Sequence, residues 1–136
     1  MIRIALDTNV MLDWLLDRPT ARQYDTLLAG IQNGLVEAVI DVAVFLEIDW
    51  VLKSNYHQTA AKRCEYLKVA RDFLEDGTDV ALVVDAALAV FEQRPTIGFD
   101  DAMIVTAAQK QQVDDFITGD KKLARVYQSL KKRGER

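Results

Sequence analysis

The absences in this chain exclude several function classes before any motif is considered. It has one cysteine, Cys64, so neither an internal disulfide nor a multi-cysteine zinc site can form, and this usage fits a reducing compartment. No apolar stretch approaches the roughly 20 residues of a membrane-spanning helix, and no basic-then-apolar leader opens the chain. The expectation is a cytoplasmic protein with no membrane partner. Basic residues are not in excess: 17 Lys and Arg stand against 21 Asp and Glu, a net charge of −4. That weighs against a nucleic-acid partner unless cations concentrate locally or metal ions invert the sign of a site. Repeats, low-complexity tracts and Pro/Gly/Ser-rich linkers are also missing. The 136 residues, half of them apolar, suffice for one core and not for two. A single domain over 1–136 is expected, ending in a basic tail over 129–136.

Short apolar runs alternate with longer helical ones, a pattern that predicts α/β architecture with a parallel sheet. Expected strands are Ile2–Leu6, Leu35–Ile40, Val80–Val84 and Asp115–Thr118. Expected helices are Val10–Leu16, Ala21–Asn33, Ala43–Asn55, Thr59–Glu75, Ala86–Gln93, Asp101–Gln111 and Lys121–Lys132. Gly34 and Gly77 fall at helix stops, Asp41 and Asp85 at helix caps, and Arg94-Pro95-Thr96-Ile97-Gly98 reads as a loop. The fold expected is a three-layer α/β/α sandwich around a mostly parallel sheet of about four to five strands.

The chemistry is carried by acids in unusual settings. Asp7 ends the first apolar run, at the strand edge where open α/β sheets place ligands, with Thr8 or Asn9 expected to cap the next helix. Glu47 has Ala43, Val44, Trp50 and Val51 at helical spacing, so it reads as a charge inside an apolar stripe. Such a charge needs a partner or a metal unless its tip reaches water. Asp49 faces elsewhere and is expected to be solvated. Asp101 opens a helix with Ile104 and Val105 on its side, and Asp100 can serve as its cap. If one of this pair is a ligand, helical phase selects Asp101. Asp120 follows Phe116-Ile117-Thr118-Gly119, a second expected strand end; taken alone it reads better as a plain helix cap, and the recurrence of acids in such settings shifts the weight to a site. Converging carboxylates repel and demand cations, and an all-oxygen set selects Mg²⁺ or Mn²⁺. Such ions generate a water nucleophile and stabilise phosphoryl transition states, so the chemistry implied is phosphodiester hydrolysis.

Taken together, Asp7-Thr8-Asn9, Glu47, Asp101-Ala102 and Thr118-Gly119-Asp120 resemble the PIN-domain ribonucleases, and size and element order resemble the VapC-type toxins of toxin–antitoxin pairs. The resemblance runs from Met1 to about Tyr127. It implies that Asp7, Glu47, Asp101 and Asp120 bind Mg²⁺ or Mn²⁺, that Thr118 helps position water or phosphate, and that Asn9 steadies the pocket. It also implies an RNA substrate, an antitoxin partner and a homodimer. One departure stands out. The fifth strand that usually closes such domains has no counterpart, because Ser129–Arg136 is rich in Lys and Arg and carries no apolar strand.

Other residues are weighed against plainer roles. His57, the single histidine, reads as a surface-turn residue, Cys64 as a small packing group, and Trp14 and Trp50 as core or interface residues. The late basic run of Lys121, Lys122, Arg125, Lys131, Lys132, Arg133 and Arg136 suits a solvated helix end. Lys121, Lys122 and Arg125, next to Asp120, are candidates for substrate phosphates. Lys53, Lys62, Arg63, Lys68 and Arg71 form a second candidate rim, and Leu12, Leu16 and Leu28 a candidate dimer face. Two other functions compete with the nuclease. A phosphatase related to the haloacid dehalogenases needs a second Asp two residues after its nucleophile, where this chain has Asn9, and a Lys before Asp101 that is missing. A non-catalytic PIN-like binding module would be favoured by loss of the pocket acids, and all four are present.

Overall fold

The computed structural model describes residues 1–134. The chain opens with strand β1 (Ile2–Ala5), followed by helix α1 (Thr8–Leu15), a 3-10 segment over Pro19–Tyr24 and helix α2 (Asp25–Gln32). Strand β2 (Val36–Val39) then leads into helices α3 (Val42–Ser54) and α4 (Ala60–Arg71). Helix α5 (Asp79–Gln93), a 3-10 turn at Pro95–Ile97, helix α6 (Phe99–Lys110) and helix α7 (Lys121–Gly134) complete the order.

The fold is α/β with a parallel sheet, and among the described residues that sheet has two strands, not four or five. Ile4 pairs with Ala38 and Ala5 with Val39 in register, and Leu6 N–H extends the ladder to the Val39 carbonyl at 3.0 Å. Leu6, Ala38 and Ile40 are buried and join one core with Met11, Phe45, Leu67, Val84, Phe91 and Phe99. Around it, α1 packs on α3 and α4, α5 on α4 and α6, and α6 on α7.

Two of the expected strands do not form. Val80–Val84 lies inside α5 because Thr78 starts a helix there, its Oγ1 accepting Ala81 N–H at 3.2 Å. From that start the helical period buries Ala81, Val84, Leu88 and Phe91 and leaves Leu82 exposed. A five-residue apolar run fits a buried strand and a buried helix turn equally well, and here the cap decides. Asp85 is consequently mid-helix rather than a cap, and it pairs with Arg71 instead. Asp115–Thr118 is irregular: Phe116 packs on Tyr127 with ring centroids 5.1 Å apart, while Ile117 is 86% exposed with no strand to cover it. The expected basic tail is helical as far as Gly134, and Arg136 lies outside the described residues.

Candidate active site

Asp7 is placed by the sheet. β1 ends at Ala5, and Asp7 adopts an extended backbone (φ −93°, ψ 173°) as the N-cap of α1, its Oδ1 accepting Val10 N–H at 3.0 Å. Thr8 and Asn9 therefore do not cap the helix; both lie in its first turn. Thr8 instead donates its hydroxyl to Glu47 Oε2 at 2.5 Å, joining the head of α1 to α3. Asn9 is exposed, two positions past Asp7.

Glu47 reaches this place by a different route from the one its sequence neighbours suggest. The buried face of α3 is Phe45, Ile48, Asp49 and Leu52. Glu47 is exposed, as are Ala43 and Trp50 beside it, while Val44 and Val51 are partly buried against the core, so Glu47 stands at the edge of its apolar stripe. Trp50, 62% exposed, is not a core residue. The residue that does enter the core is Asp49, held by Arg63 Nε at 2.8 Å, with both side chains about nine-tenths buried. Burial pushes the Asp49 carboxyl above its usual range, Arg63 pulls it back, and Asp100 pushes it further up.

The second pair of acids sits at two helix starts. Gly98 (φ +82°) precedes α6, in a region of backbone space that suits glycine alone. A Cβ there would stand 2.9 Å from Asp100 Oδ1. Asp100 is within α6 rather than capping it, and its Oδ1 takes the Asp101 N–H at 2.9 Å. Asp101 is half-buried, and its carboxyl is raised by burial, by Asp100 and by Asp120. The Asp120 charge is the weakest of the three causes and acts from 19 positions away in the chain. Asp120 is not at a strand end. It caps α7, Oδ1 accepting Lys122 N–H at 2.9 Å and Leu123 N–H at 3.1 Å, while Thr118 Oγ1 holds the Asp120 N–H at 3.1 Å.

Among the described residues, ion pairs hold Asp13, Glu37, Asp49, Glu65, Asp76, Asp85 and Glu92; none holds Asp7, Glu47, Asp101 or Asp120, nor Asp17, Asp25, Asp41, Asp72, Glu75, Asp79, Asp100, Asp114 and Asp115. Also among the described residues, no three His, Cys, Asp or Glu side chains are gathered tightly enough to ligate one ion. The hydrogen bond from Thr8 to Glu47 is the side-chain link between the helices that carry Asp7 and Glu47. Unpaired oxygen donors match the chemistry of a hard divalent cation. Asp7 and Asp120 each give one oxygen to a helix N-terminus and have a second.

The PIN-domain family model matches residues 4–128. This chain belongs to the PIN-domain family. No curated protein and no solved structure matches it. PIN domains have a nuclease-like fold and are commonly metal-dependent ribonucleases, and the match spans all four candidate acids. No helix of the described PIN domain is long and apolar enough to cross a membrane.

Tertiary structure redistributes the cations of this PIN domain. In the second candidate rim, Arg63 is buried on Asp49, Arg71 binds Asp85 and Asp76, Lys68 binds Glu92 and Lys62 binds Glu65. Those charges are already matched within the chain. Lys121, Lys122 and Arg125 are exposed at the start of α7. Leu12 is 2% exposed and so cannot serve as a dimer face. His57 is an exposed turn residue and Cys64 is buried in the core, both as expected. Trp14 stacks on Phe73 at 5.5 Å. Sequence reasoning missed Thr8 as a link between Asp7 and Glu47; its only local signal was a hydroxyl beside a candidate ligand.

Capping and chemistry at Asp7 are separable. Asp7→Asn is expected to leave thermal stability nearly unchanged, because Asn caps about as well as Asp, while Asp7→Ala loses about 1 kcal/mol. Thermal melts of the two variants test this: a large loss for Asp7→Asn would mean that the negative charge itself holds the fold.

Proposed function

We propose that this PIN domain is a cytoplasmic Mg²⁺- or Mn²⁺-dependent endoribonuclease that acts as the toxin of a toxin–antitoxin pair and works as a homodimer. The observation that carries the reading is the family match, which spans Asp7, Glu47, Asp101 and Asp120, four acids that make no ion pair among the described residues. Asp7, Glu47, Asp101 and Asp120 would hold the metal. When bound, it supplies an activated water and neutralises charge on the phosphate under attack.

The chain's own groups have distinct tasks in this reading. Thr8 fixes the Glu47 carboxylate through its hydroxyl and so keeps α3 in register with Asp7. Thr118 holds the turn that presents Asp120 and orients water or phosphate, and Asn9 steadies the pocket from the first turn of α1. Lys121, Lys122 and Arg125 hold the RNA backbone beside the acids.

The test is incubation of total cellular RNA with the purified chain and Mn²⁺, with a chelator arm. Discrete fragments that disappear with chelator support the nuclease. Intact RNA under every metal condition, with metal bound, would leave a non-catalytic binding module. Co-expression with the product of a neighbouring short reading frame tests the toxin role, which predicts relief of growth arrest.

A further inference from the structure

We infer that one face of α7, together with Arg94, is a track for the phosphates of single-stranded RNA, leading away from the acidic pocket. The inference rests on the nuclease reading and gives the substrate strand a path. A cavity of about 460 Å³ lies between the turn after α5 and α7, and its lining includes Arg94, Lys122 and Arg125 but no Asp or Glu. A second, shallower hollow continues along α7 with Arg125, Ser129 and Lys132, again with no acid. In a chain of net charge −4, two adjoining hollows whose charged lining residues are all cations form the local concentration that overall composition conceals. By contrast, the hollows along α4 and α5 mix Lys68 and Arg71 with Asp85 and Glu92.

The spacing makes it a track. Residues 122, 125, 129 and 132 follow one another at three, four and three positions, so they share one helix face over about 15 Å of axis. Arg94 is fastened across the gap by its Nη2, which donates to Ser129 Oγ at 3.0 Å. Its Nη1 is buried without a partner, a state that costs free energy unless an acceptor arrives. The head of the same helix is capped by Asp120, one of the four candidate acids. A strand with its scissile phosphate at the acids would thus carry its neighbouring phosphates onto Lys122, Arg125 and Lys132.

The test uses the full chain carrying Asp101→Asn, so that bound RNA is not cut, with a fluorescent single-stranded RNA in Mg²⁺ across a salt series. Lys122, Arg125 and Lys132 are exposed, so replacing all three with Gln is expected to leave the melting temperature unchanged. The triple change should weaken binding at least about tenfold at low salt and flatten the log–log salt slope by about 2. Lys110→Gln, an exposed charge elsewhere, should change neither. Should the triple variant bind RNA with unaltered affinity and slope, the track is wrong while the nuclease reading stands. Absence of RNA binding and of cleavage by the unmodified chain would remove both. Loss of polyglutamate binding with RNA binding intact would assign the face to an acidic protein and overturn the proposal.

Discussion

Asp101→Asn should lower metal-dependent RNA cleavage by about a thousandfold or more, because a lost metal ligand removes several kcal/mol of transition-state stabilisation at 1.36 kcal/mol per decade. The same change should make the protein more stable. Burial, Asp100 and Asp120 raise the Asp101 carboxyl, so its ionised form is disfavoured in the folded state. A raised folded pKa contributes stability below the ordinary carboxylate range and loses it as pH rises through the raised value. Asparagine escapes that loss. The gap between variant and parent should therefore open as pH rises and reach a few tenths to about 1 kcal/mol at neutral pH, limited by the solvent Asp101 still touches. For a chain of this size that is about 1 to 4 °C in melting temperature. Activity and stability moving in opposite directions separate a ligand from a structural acid. A variant that loses both would show that Asp101 supports the fold.

Asp49→Ala carries the largest expected effect on stability. It leaves the Arg63 guanidinium buried, with its remaining partners the Gln58 carbonyl at 2.9 Å and the face of Phe91. Breaking a buried pair from one side costs about 3–5 kcal/mol, a large share of the 5–15 kcal/mol typical of a whole domain. Replacing both partners, as Asp49→Leu with Arg63→Met, should recover most of the loss, since two apolar side chains need no counter-charge. Denaturant unfolding of the two single variants and the double variant measures the coupling. A loss below about 1 kcal/mol for Asp49→Ala would mean that water screens the pair. The pair also bears on function, because it fixes the α3–α4 packing from which Glu47 projects on the opposite side.

Where the sequence reading succeeded and where it failed each has a physical cause. Asp7 was legible because its position depends on the five preceding residues and the helix it caps, all local. The expected helices of α3, α6 and α7 formed near their expected places for the same reason. Glu47 lies at the edge of its apolar stripe rather than inside it: Ala43 and Trp50 are exposed, Val44 and Val51 partly buried, and the core side of α3 contains Asp49. Helical spacing specifies which residues share a face but not which face turns inward. The partner that permits Asp49 to be buried, Arg63, lies 14 positions away on another helix. Val80–Val84 failed differently: it satisfied the pattern of a buried strand, but the local cap at Thr78 starts a helix through it.

By itself, the sequence determined the class of fold, the family and the order of the four acids, because these reside in local pattern and in motifs a few residues long. Tertiary structure alone decided which charges cancel and which remain. Arg63, Lys68 and Arg71 are matched by acids from elsewhere in the fold, while Asp7, Glu47, Asp101 and Asp120 are left unmatched. It also set Arg94 beside the cations of α7. Electrostatic pairing depends on distance in space, and chain spacing controls that distance only within a turn or two of helix.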